Sequence, residues 1–305
     1  MKLKELAMLS AALLIGLVTH ASIGAELDLN DPDDRIRISL KTNCSINDQE
    51  PAVYWWEGRV WSRRAGEKDR HLFNVQGMNT RHCQKVEDPL RGLGFKSRSR
   101  EIMLYLDKET GEVLSTWTNP WTGKEVEVVQ VANDPPGPPG MVFWARDENG
   151  EPQGSAASYT MVGDFALSGG GAARLFYENP MGGDYQEYVG GWYHAMEFLT
   201  GATPVDDPLD GDAATVKDRV LSWGRISKWL PWMEMGDKEG ILIFHTAGMR
   251  LDSWDQLPDL LKTEIRERFP IYVEPPPIDD PRPKETSWTV TRDYIDAKRR
   301  EAETD

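Results

Sequence analysis

The stretch GGWYHAMEF, residues 190–198, brings three side chains capable of acid–base chemistry close together: Tyr193, His194 and Glu197. Its glycine pair and its aromatic residues favour a β-strand over a helix. On a strand, Tyr193 and Glu197 point to one face, and Trp192 and His194 point to the other. A glutamate facing an apolar interior has a raised pKa, which suits a general acid or base. We therefore predict that Glu197, His194 and Tyr193 are catalytic residues.

Other interpretations of the same residues stay open. On a helix, His194 and Glu197 would share one side at a spacing of three. A histidine on an apolar face is usually a hydrogen-bonded core residue, and Glu197 could face solvent or pair with Arg225. Two further residues are candidates for ligand binding. His245 ends the apolar run ILIFH, and Arg81 could bind a carboxylate through two hydrogen bonds.

Tryptophan is abundant, with 12 in 305 residues. The indole rings either fill the interior of a wide barrel or line a ligand cavity, because ligand pockets are mostly apolar and aromatic. In the stretch WLPWMEMGDKEG, Pro231 restricts the preceding residue to extended geometry. The stretch is therefore predicted to lie at a strand end, where binding loops occur. The predicted ligand-binding residues are Trp121, Trp192, Trp229 and Trp232, together with Arg81, Arg225 and His245.

Sequence motifs for metals, phosphates and serine nucleophiles are missing from the chain. HxH, HExxH and HxxEH do not occur, and neither do GxGxxG, GxxxxGK[ST], GxSxG or SxxK. The chain has no CxxC pair and no Cys/His cluster that would indicate a zinc site. We predict no metal and no cofactor.

These side chains must be positioned by strands. Residues 100–133 form three alternating runs separated by the turn sequences DKETG and NPWTG, a pattern that indicates an antiparallel meander. Further strands are predicted at AVYWWEGRVWSR, in the segment around Glu197, at RVLSWGRISKW and at GILIFHTAGMRL. ELDLNDPDDRIRISLKTN also alternates in its second half and predicts an entering strand. SWDQLPDLLKTEIRERFP has a helical apolar stripe that ends at Pro270. The predicted fold is mainly β: an antiparallel meander curled into a barrel or half-barrel, with one or two flanking helices.

The chain divides into a leader and one domain. Residues 1–25 carry Lys2 and Lys4, an apolar run over residues 7–18 and small residues at Ala21 and Ala25, the pattern of a signal peptide. A retained anchor is the alternative. NDPPGPPG, residues 133–140, predicts a surface loop within one domain in preference to a linker. Residues 26–305 then form a single β-rich domain with a proline-rich C-terminal extension, and we expect the protein to be periplasmic or secreted.

Net charge limits the classes of partner, and the cysteine content bears on a disulfide. The formal net charge is −15, and the leader contributes +1 of it, which leaves −16 on the remainder. This surface repels nucleic acid and anionic lipid, so we predict no nucleic-acid partner and no membrane partner after signal removal. An oxidising compartment permits a disulfide between Cys44 and Cys83, although the sequence leaves their pairing open.

Three segments together resemble a known family. TGEVLSTWTNPWTGKEVEVVQVANDP, WGRISKWLPWMEMGDKEGILIFHTAG and PPPIDDPRPKETSWT resemble the family catalogued as domain of unknown function 1838, which is found in bacteria and some fungi. The similarity runs from about Ile38 to Tyr294. It implies that the layout is shared by a family, and it implies no reaction and no catalytic residues.

The leading hypothesis is an exported protein that binds or transforms an apolar or aromatic small molecule, such as a terpenoid, a steroid or an aromatic acid, in a tryptophan-lined cavity. One alternative is a cofactor-independent acid–base enzyme that acts as a hydratase, isomerase or hydrolase. The other is a structural envelope protein, which would have no cavity.

Overall fold

The computed structural model describes residues 26–153, 159–169, 172–178, 181, 183–185, 188 and 191–304. The predicted signal peptide, residues 1–25, lies outside the described residues. Over the described ranges, no helix combines the length and the apolar character needed to cross a membrane.

The described residues form strands of very unequal length. In chain order these are β1 (Ala52–Arg63), β2 (Arg70–Asp88), β3 (Gly92–Leu106), β4 (Thr116–Thr118), β5 (Glu125–Glu127), β6 (Val131–Asn133), β7 (Val142–Trp144), β8 (Tyr159–Val162), β9 (Phe165–Ser168), β10 (Ala172–Glu178), β11 (Trp192–Pro204), β12 (Val220–Ser227) and β13 (Ile241–Leu251). The α-helices are α1 (Pro32–Asn43), α2 (Asp206–Leu209), α3 (Asp259–Arg268) and α4 (Ser287–Thr304). Short 3₁₀ helices span Gly183–Tyr185, Pro231–Met233, Trp254–Gln256 and Pro270–Val273.

One large antiparallel sheet dominates the molecule. Its strands follow the order β6-β3-β2-β1-β13-β12-β11-β9-β8, with β10 paired to β11 and β7 paired to β3. The pairing of β1 with β13 joins the first and the last strand in chain order, for example Val53 with Leu251. The prediction of a mainly β, curled antiparallel meander is confirmed, and the sheet is not closed into a barrel.

The two faces of the sheet bury different clusters. On the convex face, Met78, Ile102 and Leu104 pack against Leu261 and Ile265 of α3, as the predicted apolar stripe requires. The concave face buries a second cluster, which is rich in aromatic residues: Val60, Phe73, Tyr105, Trp229, Trp232 and Phe244. Because successive strand residues alternate between faces, each inward residue has neighbours in the chain that point outward. This alternation decides which polar side chains reach the interior.

The expected entering strand is wrong, because these residues form α1. Asp31 caps the helix by accepting hydrogen bonds from the backbone N–H groups of Asp33 and Asp34, and Pro32 occupies the first turn. This capping pattern is a strong helix start, and acidic residues in the first turn suit the positive end of the helix dipole. Local capping therefore outweighs the alternation that suggested a strand.

The predicted meander is only partly continuous. Its first run forms the end of β3, but the second and third runs contain the three-residue strands β4 and β5, which pair in a separate small sheet. The chain then returns as β6 to pair with β3. The disulfide is present: Cys44, just after α1, is bonded to Cys83 on β2.

Candidate functional site

A cavity of about 790 Å³ occupies the concave face of the sheet. Inward side chains of β1, β2, β3, β6 and β10 to β13 form most of its wall, and residues 228–232 and the start of α4 complete it. The apolar part of the wall is largely aromatic and includes Trp56, Trp223, Trp229, Trp232, Phe244 and Trp288. A space of this size matches a small-molecule site.

Glu197 lies in this wall as part of a three-residue group. It is directly opposite Arg225 in the pairing of β11 with β12, and the Arg225 Nη1 to Glu197 Oε1 distance is 3.6 Å. The other terminal nitrogen of Arg225 donates a hydrogen bond to the Tyr193 hydroxyl. Tyr193 is 2 % exposed, and its ring meets that of Trp288 edge-on at 4.6 Å. Helix α4 therefore holds one side of the group in place.

Burial raises the pKa of Glu197 to about 6, and the negative charge of Glu101 adds to the rise. Arg225 attracts the ionised carboxylate and opposes this effect. The opposition is weak, since 3.6 Å exceeds hydrogen-bond length and Arg225 is also bonded to Tyr193. Desolvation therefore dominates, as is usual for a carboxyl in an apolar site. A carboxyl with this pKa exchanges protons readily near neutral pH.

Glu101, which sequence reasoning missed, is the second carboxyl of the cavity. It lies on β3 opposite Asn79, and its Oε1 accepts a hydrogen bond from Asn133 Nδ2 at 3.0 Å. Burial raises its pKa, while Arg81 pulls in the opposite direction. The available signal was its period-two spacing with Met103 and Tyr105, which also line the cavity.

The cavity wall carries more positive than negative charge. Its cations are Arg81, Arg219, Arg225, Lys228 and Lys284. Among the described residues of the wall, two carboxyls stand against these five: Glu101 and Glu197. This local excess has the opposite sign to the net charge of −15 for the whole chain. Of the cations, sequence reasoning named only Arg81 and Arg225.

The structure brings Glu197, Tyr193, Arg81, Arg225, Trp229 and Trp232 into the wall. It places Trp192 and His194 elsewhere, on the opposite face of β11. Trp192 is 52 % exposed and stacks on Phe176 at 4.9 Å, and the His194 ring contacts the same phenylalanine at 4.5 Å. Strand alternation turns both side chains away from this cavity, so the structure does not bring them together with Glu197. The catalytic use of His194 and the ligand-binding use of Trp192 stay predictions.

His245 and Trp121 also lie outside the wall. On β13, Phe244 faces the cavity, so its neighbour His245 is exposed on the outer face. Trp121 belongs to the turn between β4 and β5, where it packs on Trp229 at 4.8 Å and donates its indole N–H to Glu67 at 3.1 Å. It packs behind a wall residue and does not line the cavity itself, and its contact with a ligand stays a prediction.

The site has the components of acid–base chemistry. Glu197 can accept or donate a proton, and Arg225 with Tyr193 can stabilise negative charge on a nearby oxygen. Within the ranges that the structure describes, no three His, Cys, Asp or Glu residues are grouped to hold a metal ion.

Comparison with known proteins identifies the family and leaves the reaction open. A search of curated proteins found no match. The model of the family described as "Protein of unknown function (DUF1838)" matches residues 49–295, a range that includes both cavity carboxyls. Since this match covers most of the 305 residues, the chain belongs to the DUF1838 family.

Proposed function

We propose that the cavity binds an apolar or aromatic small molecule and that Glu197 exchanges a proton with it. The observation that carries this proposal is the position of Glu197: a carboxyl in an aromatic wall, with a pKa of about 6, opposite Arg225. A glutamate that serves only solubility lies on the exposed surface, where its pKa is not raised by burial. A terpenoid, a steroid or an aromatic acid would suit the wall.

The proposed chemistry divides between three side chains. Above about pH 6 the ionised Glu197 acts as general base on a substrate C–H or on a water molecule, and below it the protonated form acts as general acid. The guanidinium of Arg225 stabilises the oxygen that gains negative charge. The Tyr193 hydroxyl accepts a hydrogen bond from Arg225 and so holds the guanidinium beside Glu197. Isomerisation, hydration and hydrolysis are the reaction classes that fit this set.

Binding without turnover is the second candidate, and the aromatic wall favours it. A purely structural envelope protein would need no such hollow, so the cavity supports the two ligand-handling hypotheses. The leader pattern supports export, and we retain a periplasmic or secreted location as part of the proposal.

The test combines ligand screening with one isosteric substitution. Intrinsic tryptophan fluorescence of the full mature chain is recorded against a panel of terpenoids, steroids and aromatic acids, because Trp56, Trp223 and Trp288 line the cavity. For any ligand that binds, product formation is followed in the wild-type protein and in Glu197→Gln. Glu57→Gln is the matched control, since Glu57 is exposed on β1 next to the inward Trp56.

We expect Glu197→Gln to retain affinity within about threefold while turnover falls at least about 100-fold, the range for loss of a general base. Glu57→Gln should change neither the affinity nor the turnover. Unchanged turnover in Glu197→Gln would remove Glu197 from the mechanism. Binding without any product in the wild-type protein would favour the second candidate, and silence across the whole panel would count against both.

A further inference from the structure

We propose that Arg81 and Arg219 form an oxyanion subsite at one end of the cavity, so that the ligand is an apolar or aromatic body bearing a carboxylate or phosphate group. This inference rests on the proposed function, because it names the class of molecule that the same cavity receives. Arg81 lies on β2 and Arg219 immediately precedes β12. Both line the main cavity and also a neighbouring cavity of about 440 Å³. The two guanidinium groups therefore stand where the cavities adjoin.

Arg219 is a buried cation held only by neutral groups. It is 9 % exposed, and its terminal nitrogens donate to Ser168 Oγ at 2.8 Å and to Thr203 Oγ1 at 3.4 Å. Among the described residues, no carboxylate lies within ion-pair distance of its guanidinium. A buried charge is costly unless it is paired, so an anionic ligand beside Arg219 would remove part of that cost.

Arg81, on β2, is likewise hydrogen-bonded to a neutral group. Its Nε donates to Asn79 Oδ1 at 2.7 Å, and the guanidinium lies 5.0 Å from the ring centre of Tyr54. Within the described part of the chain it makes no ion pair either. Glu101 is near enough to attract it, but the carboxylate of Glu101 is bonded to Asn133. No hydrogen bond joins the terminal nitrogens of Arg81 to the described residues, so the proposal assigns these nitrogens to the ligand.

The two guanidinium groups also repel each other. Burial lowers the pKa of Arg81, interactions with Tyr54 and Glu101 raise it, and the positive charges of Arg219 and Arg250 lower it. Arg250 is already committed to the backbone carbonyls of Lys41 and Cys44. An oxyanion between Arg81 and Arg219 would offset both the desolvation and the repulsion.

Gly201 shows that the position of Arg219 is built into the sheet. A Cβ added at Gly201 would lie 2.5 Å from Nη2 of Arg219 and 2.7 Å from its Cζ. Gly201 does not have a positive φ, so the backbone conformation does not require a glycine here. The missing side chain is what leaves room for the guanidinium against β11.

The surroundings of the two arginines suit the head group of an amphipathic molecule. The smaller cavity is lined by apolar residues and by the hydroxyl-bearing residues Ser39, Thr42, Ser97, Tyr159 and Ser168. Thr42 and Tyr159 are bonded to each other, whereas Ser168 accepts from Arg219 and can still donate its own proton to an oxyanion without adding charge. The aromatic body would then extend along the main cavity towards Trp223 and Glu197. The proposed reaction would thus occur at the end of the ligand away from its anionic group.

Two fluorescent probes with the same aromatic skeleton test this inference. 8-Anilinonaphthalene-1-sulfonate carries a permanently ionised oxyanion, and N-phenyl-1-naphthylamine lacks it. Binding of each is titrated to the wild-type full mature chain and to Arg219→Gln, Arg81→Gln and Gly201→Ala. Arg59→Gln is the matched control, because Arg59 is exposed on the outer face of β1. Near-ultraviolet circular dichroism reports folding, and either arginine variant suffices if the other does not fold.

The wild-type protein should bind the sulfonate at least about tenfold more tightly than the neutral probe, with one site from which each displaces the other. Each arginine variant should weaken sulfonate binding about tenfold or more and change neutral-probe binding less than about twofold. Gly201→Ala should act in the same direction, since it displaces Arg219. Competition by 1-naphthoate, 1-naphthyl phosphate and the neutral 1-naphthalenemethanol then distinguishes a carboxylate from a phosphate ligand.

Equal affinity for the two probes, or equal losses in the arginine variants, would overturn the oxyanion subsite and leave the proposed aromatic cavity intact. The same holds if the sulfonate binds without displacing the neutral probe. If neither probe binds the wild-type protein, the proposed function itself fails and the subsite fails with it. The sulfonate is ionised at every working pH, so titration of the probe cannot produce any of these results.

Discussion

Replacing Glu197 with glutamine should stabilise the protein at neutral pH and have little effect in acid. The rise in pKa from 4.5 to about 6 corresponds to about 2 kcal/mol, since one pKa unit is worth about 1.4 kcal/mol. The folded protein binds this proton more tightly than the unfolded chain does. The contribution of Glu197 to stability is therefore greatest below pH 4.5, falls as the pH rises through about 6, and stays reduced above that value. Glutamine keeps the shape of the side chain and removes the buried charge.

The attraction between Arg225 and the ionised Glu197 reduces the stability that the substitution gains. Glutamine loses the charge interaction that spans 3.6 Å, and Arg225 keeps its bond to Tyr193. We therefore expect a net gain of about 1 to 2 kcal/mol at pH 7.5, which corresponds to a rise of about 2 to 4 °C in Tm for a chain of this size. Close to pH 4, where the wild-type carboxyl is protonated, the two proteins should melt together.

The measurement is thermal unfolding of the wild-type protein, Glu197→Gln and the control Glu57→Gln at pH 4 and pH 7.5. The control removes the same charge from an exposed site, so it corrects for the change in net charge. A Glu197→Gln protein that melts below the wild type at pH 7.5 would refute the reasoning. It would mean that the ion pair with Arg225 stabilises the fold and that Glu197 is a structural residue.

Two further predictions concern the scaffold around the site. Replacing Cys44 and Cys83 together by serine should lower the free energy of unfolding by about 2 to 4 kcal/mol, because the bridge closes a loop with a sequence separation of 39. Denaturant titration measures this loss, and an unchanged free energy of unfolding would mean that the bond does not constrain the chain. Asp134→Asn should cost about 3 to 5 kcal/mol in the same assay, since this residue, 3 % exposed, pairs with both Arg100 and Arg282. A cost below about 1 kcal/mol would show that solvent replaces those pairs.

Strand periodicity predicted more of the site than residue type did. The alternation of β11 separates Tyr193 and Glu197, which face the cavity, from His194, which faces out, and this separation was visible in the sequence. The imidazole of His194 favours a catalytic role by residue type, although the same alternation places it on the face of the strand away from Glu197. Around α1 the reverse applies: periodicity suggested a strand, and the capping residues near Asp31 indicated the helix that forms.

The remaining site residues could not be predicted, because the contacts that define them join distant parts of the chain. Glu101 and Arg219 each look like ordinary charged residues beside a turn or within an alternating run. Their inward position depends on the order of strands, in which β1 pairs with β13 and β2 with β3. No local sequence pattern specifies that strand order, so the sequence does not identify which charges face each other across the curled sheet.

Net charge is a poor guide to the ligand that we propose, because the cavity has its own electrostatics. A total of −15 suggests a cationic partner if the surface alone is considered. Inside the cavity five cations face two carboxyls, and burial favours the neutral form of both Glu101 and Glu197. Surface charges are screened by salt over about 10 Å, whereas groups in the wall act on a ligand at contact distance. The sign of the charge on the cavity wall therefore decides the affinity for a ligand. We expect an anionic ligand to bind despite the acidic surface.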